Sequence, residues 1–358
     1  MRYITELVKK ERKLIKANNH RTLSGLHNFI DEDLLNFCLT GIKHHPLVSP
    51  SGRSLKSMNK SISIPYLLKE LKEGVYHPVA VKMKQVIVKN KLRDVGKLQL
   101  EDELLQKAVK VILEPVYEQV FFNFNIGYRR GKDQYDGHSW LHHQITHGGY
   151  RYLIKADLHD FFSSIDHEYM MEFLKERIAD DVILHLVEEW MAVGNVNRNK
   201  PEERPQGLIT GSPLSPMLSN IYLHYVLDNW FVSRIQPLMH NTSFMVRYCD
   251  DFIMGFNNAN DARRVYRTLF KRLAKYYLYL NQRKSFMVWL GASDGGNEIG
   301  AGQNTGTAAG AYSACGYGDN PNYGNDFKHH TFNFLGHHCW LGKTKKGEEV
   351  LRWNVVER

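Results

Sequence analysis

At 358 residues the chain has room for a large core, enough for two domains or one elaborate one. Its formal net charge of +9 suits a polyanionic partner. No window approaches ~18 uninterrupted apolar residues and the N-terminus has no apolar leader core, so a cytoplasmic protein is expected rather than a secreted or membrane-spanning one. Cys38, Cys249, Cys315 and Cys339 are scattered with no C-x-x-C, which indicates neither a zinc site nor a disulfide framework.

Residues 1–80 read as a basic helical extension, with "EDLLNFCL" and "IPYLLKELKEG" at helical spacing and Gly74 placed to end the second segment. Residues 81–150 open on "VAVKMKQVIVKNKLRDVGK", a strand-like alternation with Lys82, Lys84, Lys89, Lys91, Arg93 and Lys97 against one acid, Asp94. Taken alone, this is a lysine-protected edge strand. "EDELLQKAVKVILEPVYEQVFF" reads as an amphipathic helix interrupted at Pro115, followed by a basic glycine-containing loop, "IGYRRGKDQYDG".

Residues 151–290 alternate strand and helix patterns: "RYLIKADL" a strand, "SSIDHEYMMEFLKERI" a helix capped by Asp166, "SPMLSNIYLHYVLDNWF" a long helix, "FMVRYCDDFIMGF" strand, turn, strand, and "DARRVYRTLFKRLAKYY" another helix. This predicts an α+β arrangement with an antiparallel sheet. Residues 291–330 hold a stretch, 291–326, with ten glycines and no lysine or arginine, read as a flexible insertion. Residues 331–358 read as a β-hairpin turning at "KKGE".

The chemistry gathers on carboxylates. A strand rarely gives two neighbouring side chains to charge, because successive residues point to opposite faces. A solvated Asp-Asp turn would explain Asp250 and Asp251 alone, but Asp157 also ends an apolar strand. Three carboxylates at adjacent strand ends can hold two Mg²⁺ ions about 4 Å apart, which serves phosphoryl transfer.

On these residues the chain resembles bacterial reverse transcriptases related to group II introns. "DLHDFFSSIDH" (157–167) is similar to the family's first catalytic motif, and "YCDD" (248–251) to its Y-x-D-D. "LNQRKS" (280–285) resembles the motif ending in a lysine that faces the leaving pyrophosphate, and "FNFLGH" (332–337) the hairpin that grips the primer. "LRDVGKLQLEDELLQKAV" (92–109) and "ILEPVYEQVFFNFNIGYRRGK" (112–132) resemble the finger motifs. The resemblance implies a right-hand polymerase with fingers (81–150) and palm (151–290) that copies RNA into cDNA from dNTPs, with two Mg²⁺ ions or Mn²⁺ in their place.

Carried over residue by residue, it implies Asp157, Asp250, Asp251 and Lys284 as catalytic, with Asp157, Leu158, Asp250 and Asp251 on the metals. Lys91, Arg93, Leu158, Phe162, Thr210 and Gly211 would meet the dNTP, Phe162 as a steric gate, although Phe161 would pack as well in a core. Lys89, Lys97, Arg129, Arg130, Tyr248, Leu335 and Gly336 would contact nucleic acid. The helix-entry motif departs from the family: Pro205-Gln206-Gly207 stands four residues before Ser212-Pro213, while Thr210-Gly211 stands three before Ser215-Pro216. The second register keeps the following helix in phase and puts threonine where the family has glutamine.

Residues 337 to 358 are too few for the helical thumb that follows the hairpin in the family. A structured noncoding RNA, a homo-oligomer or a second protein is expected to hold the duplex, in a setting such as antiviral defence. A template-independent or protein-primed polymerase, a diversity-generating retroelement enzyme and a noncatalytic RNA-binding scaffold are the alternatives.

Overall fold

The computed structural model describes residues 22–43, 63–88, 91–193, 206–291, 327 and 329–356, with isolated positions 9 and 13. Helices α1 (Glu32–Lys43) and α2 (Ile64–Glu73) open the described chain. Gly74 closes α2 with φ of 67°, as its position in the sequence suggests. The basic segment then forms not one strand but two, β1 (Lys82–Val88) and β2 (Lys91–Lys97), paired with each other as a separate two-stranded ribbon.

Helix α3 (Leu100–Glu118) runs through Pro115 instead of breaking there. The proline leaves the Val111 carbonyl without its intrahelical partner, and burial in the core holds it in the helix nonetheless. Helix α4 (Gln134–Gly148) begins inside the stretch expected to be a basic loop. Its start is a capping box in which Asp133 accepts from the Asp136 backbone and Asp136 accepts from the Asp133 N–H.

The central sheet is antiparallel, in the order β4-β5-β3-β6, from β3 (Tyr152–Asp157), β4 (Ser243–Tyr248), β5 (Asp251–Phe256) and β6 (Phe286–Trp289). Alternation along the strands divides its side chains between two cores. Leu153, Phe244, Val246, Ile253 and Val288 face Leu141 and Ile145 of α4 and Phe332 and Phe334 of the C-terminal strands. Ile154, Ala156, Met245, Phe252, Met254 and Met287 face the larger core. That core is closed by α3, α5 (His167–Lys175), α6 (Asp181–Val193), α7 (Ser215–Leu223) and α8 (Ala259–Ala274). The expected long helix after Ser215 is α-helical only to Leu223 and continues as π turns, His224–Asp228 and Phe231–Ile235.

A three-stranded sheet, β7 (Thr331–Phe334), β8 (His337–Lys343) and β9 (Glu349–Val355), lies on the α4 side. Leu335 and Gly336, with φ of 50° and 82°, make the two-residue turn between β7 and β8, the pattern that matches strand twist in tight hairpins. No helix among the described residues is long and apolar enough to cross a membrane. Cys38, Cys249 and Cys339 are buried free thiols.

Candidate active site

Strand pairing alone brings the carboxylates together. Asp157 at the end of β3 is the cross-strand partner of Asp251 at the start of β5, so both side chains leave the same face of the sheet. That face also carries Phe334 and the β7–β8 hairpin. Asp250 sits beside them in the two-residue turn that joins β4 to β5. Burial holds its carboxyl above the usual carboxylate range, and the Asp157 charge adds to the effect. Burial likewise pushes Asp251 up to about 6, against the pull of Lys155.

Two lysines neutralise the group in different ways. Lys284 donates from Nζ to both oxygens of Asp157, at 2.9 and 3.0 Å, and is half exposed. Lys155 is buried on β3, bonds Asp251 directly, and stands 6.0 Å over the Phe334 ring. The first cation can swing away; the second is enclosed between the catalytic strand and the hairpin. Among the described residues no group of three His, Cys, Asp or Glu side chains is already arranged to hold an ion. Three hard carboxylates whose charge is met by mobile or buried ammonium groups nevertheless fit a hard divalent cation.

The turn itself is strained and heavily braced. Cys249 has φ of 59°, an unfavourable region for a side-chain-bearing residue that costs roughly 1–3 kcal/mol. Arg247, fully buried, donates to the Cys249 carbonyl at 3.1 Å and to both carboxylate oxygens of Asp228 at 2.7 and 2.5 Å. Asn220 accepts from the same guanidinium at 2.9 Å and donates to the Gly127 carbonyl at 2.9 Å. A Cβ on Gly127 would lie 2.4 Å from the Cys249 nitrogen, so only glycine lets this loop reach the turn. Behind Asp157, its N–H donates to Ser285 Oγ and the Ser285 hydroxyl to the Asp157 carbonyl, at 3.1 and 3.2 Å.

The other expected residues divide. Phe162 is half-buried against the core while Phe161 is buried, so of the two rings Phe162 is the one that keeps an accessible surface. Leu158 is buried and bridges to Leu280, leaving only its backbone to act. Thr210 accepts from Gly96 N–H at 2.7 Å, and Gly211, with φ of 101°, would bring a Cβ within 2.6 Å of Val95. This contact seats the β1–β2 ribbon on the loop before α7. Gly207 instead donates to the Ile165 carbonyl at 2.7 Å, so Gln206-Gly207 packs on the turn inside the first motif.

Arg93 is exposed on β2, Lys91 stands in the same strand, and Lys89 lies outside the described residues. Tyr248 packs half-buried on the hairpin side, with Leu335 and Gly336 at the hairpin tip. Two expected nucleic-acid contacts are corrected. Arg129 is buried, paired with Glu118 and donating to the Phe122 and Asn125 carbonyls at 2.7 Å each, so it anchors its own loop and leaves the exposed Arg130 to face solvent. Lys97 is half-buried at the ribbon's base with its Nζ shielded.

Arg247, Lys155, Asp228 and Asn220 were not singled out from sequence, although "FMVRYCDD" and "YLIKADL" each set a cation inside an apolar strand, a signal that such a group has a buried partner.

Residues 81–339 match the family "Reverse transcriptase (RNA-dependent DNA polymerase)", and the chain belongs to it. It is 30% identical over 219 residues to the group II intron-encoded protein LtrA of Lactococcus lactis, covering 59% of this chain and 36% of that protein. Protein YkfC of Escherichia coli is 26% identical over 185 residues, covering 51% of this chain and 49% of that one. The chain therefore spans less than half the length of these relatives. A solved telomerase from Candida albicans, in complex with a fragment of telomeric RNA, aligns with TM-score 0.47 and 14% identity over 73% of this chain and 44% of that one.

Proposed function

We propose that the chain is an RNA-directed DNA polymerase that builds cDNA from dNTPs on an RNA template. The observation that carries this is the convergence of Asp157, Asp250 and Asp251 on one face of the sheet, within a chain of the reverse transcriptase family. These carboxylates, with the Leu158 carbonyl, would hold two Mg²⁺ or Mn²⁺ ions, which when bound activate the attacking 3′-hydroxyl and neutralise the charge of the leaving phosphates. Lys284 would exchange Asp157 for the departing pyrophosphate, its exposure allowing the move. Arg93 and Lys91 would hold the triphosphate, a guanidinium fork suiting phosphate oxygens. The half-buried Phe162 would lie against the sugar and exclude a 2′-hydroxyl. The hairpin tip at Leu335-Gly336 and the exposed Arg130 would bear on primer and template.

A noncoding RNA, a second copy of the chain or another protein would share the hold on the duplex, and the net charge of +9 supports the RNA among them. The proposed setting in antiviral defence draws its support from the sequence resemblance alone, and phage challenge of cells carrying Asp157→Asn tests it. For the activity, Asp157→Asn and Asp250→Asn should each abolish single-dNTP extension on a homopolymer RNA while the melting temperature is kept. Retained extension in both, or extension indifferent to the template base, rejects the assignment.

A further inference from the structure

Lys155 stands where a chain rarely places a charge. Alternation along β3 sends it to the same face as Leu153 and Asp157, and its cross-strand neighbours there are Ile253 of β5 and Phe286 of β6. Phe334 of β7 belongs to the cluster that covers this face. Buried among these apolar groups, the ammonium bonds Asp251 Oδ1, has the Ala156 carbonyl at 3.5 Å, and lies over the Phe334 ring at 6.0 Å from its centroid.

Stability does not account for such a pair. Taking two charges out of water costs about as much as their attraction returns, and apolar side chains of similar volume often serve a fold as well or better. Lys284 makes the contrast. It bonds Asp157 from a half-exposed position, from which it can leave when another cation arrives. Lys155 is closed in between sheet and hairpin, so an ion that takes up Asp251 has to share that carboxylate with a buried ammonium.

We propose that Lys155 is a positioning residue that couples the β7–β8 hairpin to divalent-ion binding at Asp251. Its charge has two places to rest, the Asp251 carboxylate and the negative face of the Phe334 ring. With the hairpin seated, the ring draws the charge and leaves Asp251 freer to meet an ion. With the hairpin displaced, the ammonium belongs wholly to Asp251 and competes with the ion. Coupling of this kind is reciprocal: a bound ion drives the ammonium against the ring and holds the hairpin down. The inference rests on the proposed function only in taking Asp157, Asp250 and Asp251 as a site for divalent ions.

The test is Mn²⁺ binding to the full chain, followed by the electron paramagnetic resonance of the free ion, which requires no turnover. Lys155→Met should bind Mn²⁺ about tenfold more tightly than the parent, the scale on which a neighbouring charge shifts the ionisation of a carboxylate. Lys155→Gln, which keeps a donor for Asp251 but no charge, should tighten binding as well. Weaker binding in Lys155→Met that Lys155→Gln restores is the mark of a bond that merely shapes the site, and it overturns the proposal. Phe334→Leu should weaken Mn²⁺ binding about two- to fivefold in the parent, as for one lost cation–π contact, and leave it unchanged in Lys155→Met. An equal effect in both backgrounds, or none in the parent, overturns the link to the hairpin. Should the Lys155 variants melt below the parent, the unmutated chain decides: Mg²⁺ should slow amide exchange across β7, and exchange indifferent to Mg²⁺ overturns the proposal. Asp157→Asn/Asp250→Asn separates the two readings. A parent that binds Mn²⁺ no better than this variant loses the metal site and the inference together, whereas strong binding in the parent with no tightening in either Lys155 variant overturns the inference alone.

Discussion

The Cys249-Asp250 turn and the β1–β2 ribbon are both hairpins, yet they are held in opposite ways. The turn at Cys249-Asp250 is fixed from behind by Arg247, from the side by Gly127, and through Lys155 to the neighbouring hairpin. The ribbon belongs to no larger sheet, exposes Met83, Ile87 and Leu92 on one side, and meets the rest of the fold through the Gly96 contact to Thr210. Groups that must hold geometry are expected where structure is over-determined, and on the proposed function the ribbon, where few buried contacts resist motion, is the part that would admit and release a substrate. Two arginines make the contrast concrete: Arg247 has no exposed surface, and Arg93 is exposed.

Breaking the comparison at its chemical centre should give the largest effect. Lys284→Ala is expected to slow incorporation by ~10²–10⁴-fold with dNTP affinity little changed, if the ammonium serves as general acid. Pre-steady-state rates measure this, and a rate within about twofold of the parent removes the role. Arg247→Met strands the Asp228 carboxylate in the core and should cost about 3–5 kcal/mol in a denaturant melt. Pairing it with Asp228→Leu should recover most of that stability, but not the rate, because the Cys249 carbonyl has lost its donor. Phe162→Ala should cost up to about a hundredfold in preference for dNTP over rNTP, the scale on which a pocket rejects an added hydroxyl. Unchanged discrimination would move the gate elsewhere.

Arg93→Ala sharpens the contrast from the other side. Its dNTP KM should rise by roughly tenfold, as when one charged hydrogen bond is lost, with no change in melting temperature. A last effect concerns pH. In the unfolded chain Asp251 ionises near its ordinary value of 3.8, but in the fold only near 6. Ionisation therefore favours the unfolded chain as pH climbs through that window, and metal-free protein should lose stability there relative to Asp251→Asn. The gap between their melting temperatures across pH 4 to 6, with Mg²⁺ closing it above, reads this out.

The three aspartates were legible because Asp157 ends a run of β-forming apolar residues and Asp250 and Asp251 stand between two such runs, and the turn at "KKGE" because its glycine, at φ of 84°, admits a positive φ. The Leu335-Gly336 turn, by contrast, was carried by the family resemblance, since a leucine gives no sign of φ above zero. The local patterns at Gly74 and Asp166 carried equally well, since a cap depends on a few neighbouring residues. Other features were hidden because their cause lies elsewhere in the chain. Arg129 looks like a phosphate contact until Glu118 and two carbonyls are folded onto it. Helix α4 is poor in strong helix formers and rich in histidine, and it exists because Leu141 and Ile145 find the sheet. The ribbon read as one strand because alternation continues across its turn and says nothing of where the chain doubles back.

The contact between Gly127 and the catalytic turn also sets an order of events. Residues 124–126 pair with Arg247, each backbone donating at 2.8 Å, from a part of the chain made long before the turn itself. Cys249 can be held in its unfavourable conformation only once that loop, Asn220 and Asp228 have closed around it. Until then Asp250 has no reason to stand beside Asp157. The place of Asp250 beside Asp157 is thus set by contacts drawn from three separate stretches of the chain, and loosening any one of them should loosen the carboxylate group as a whole.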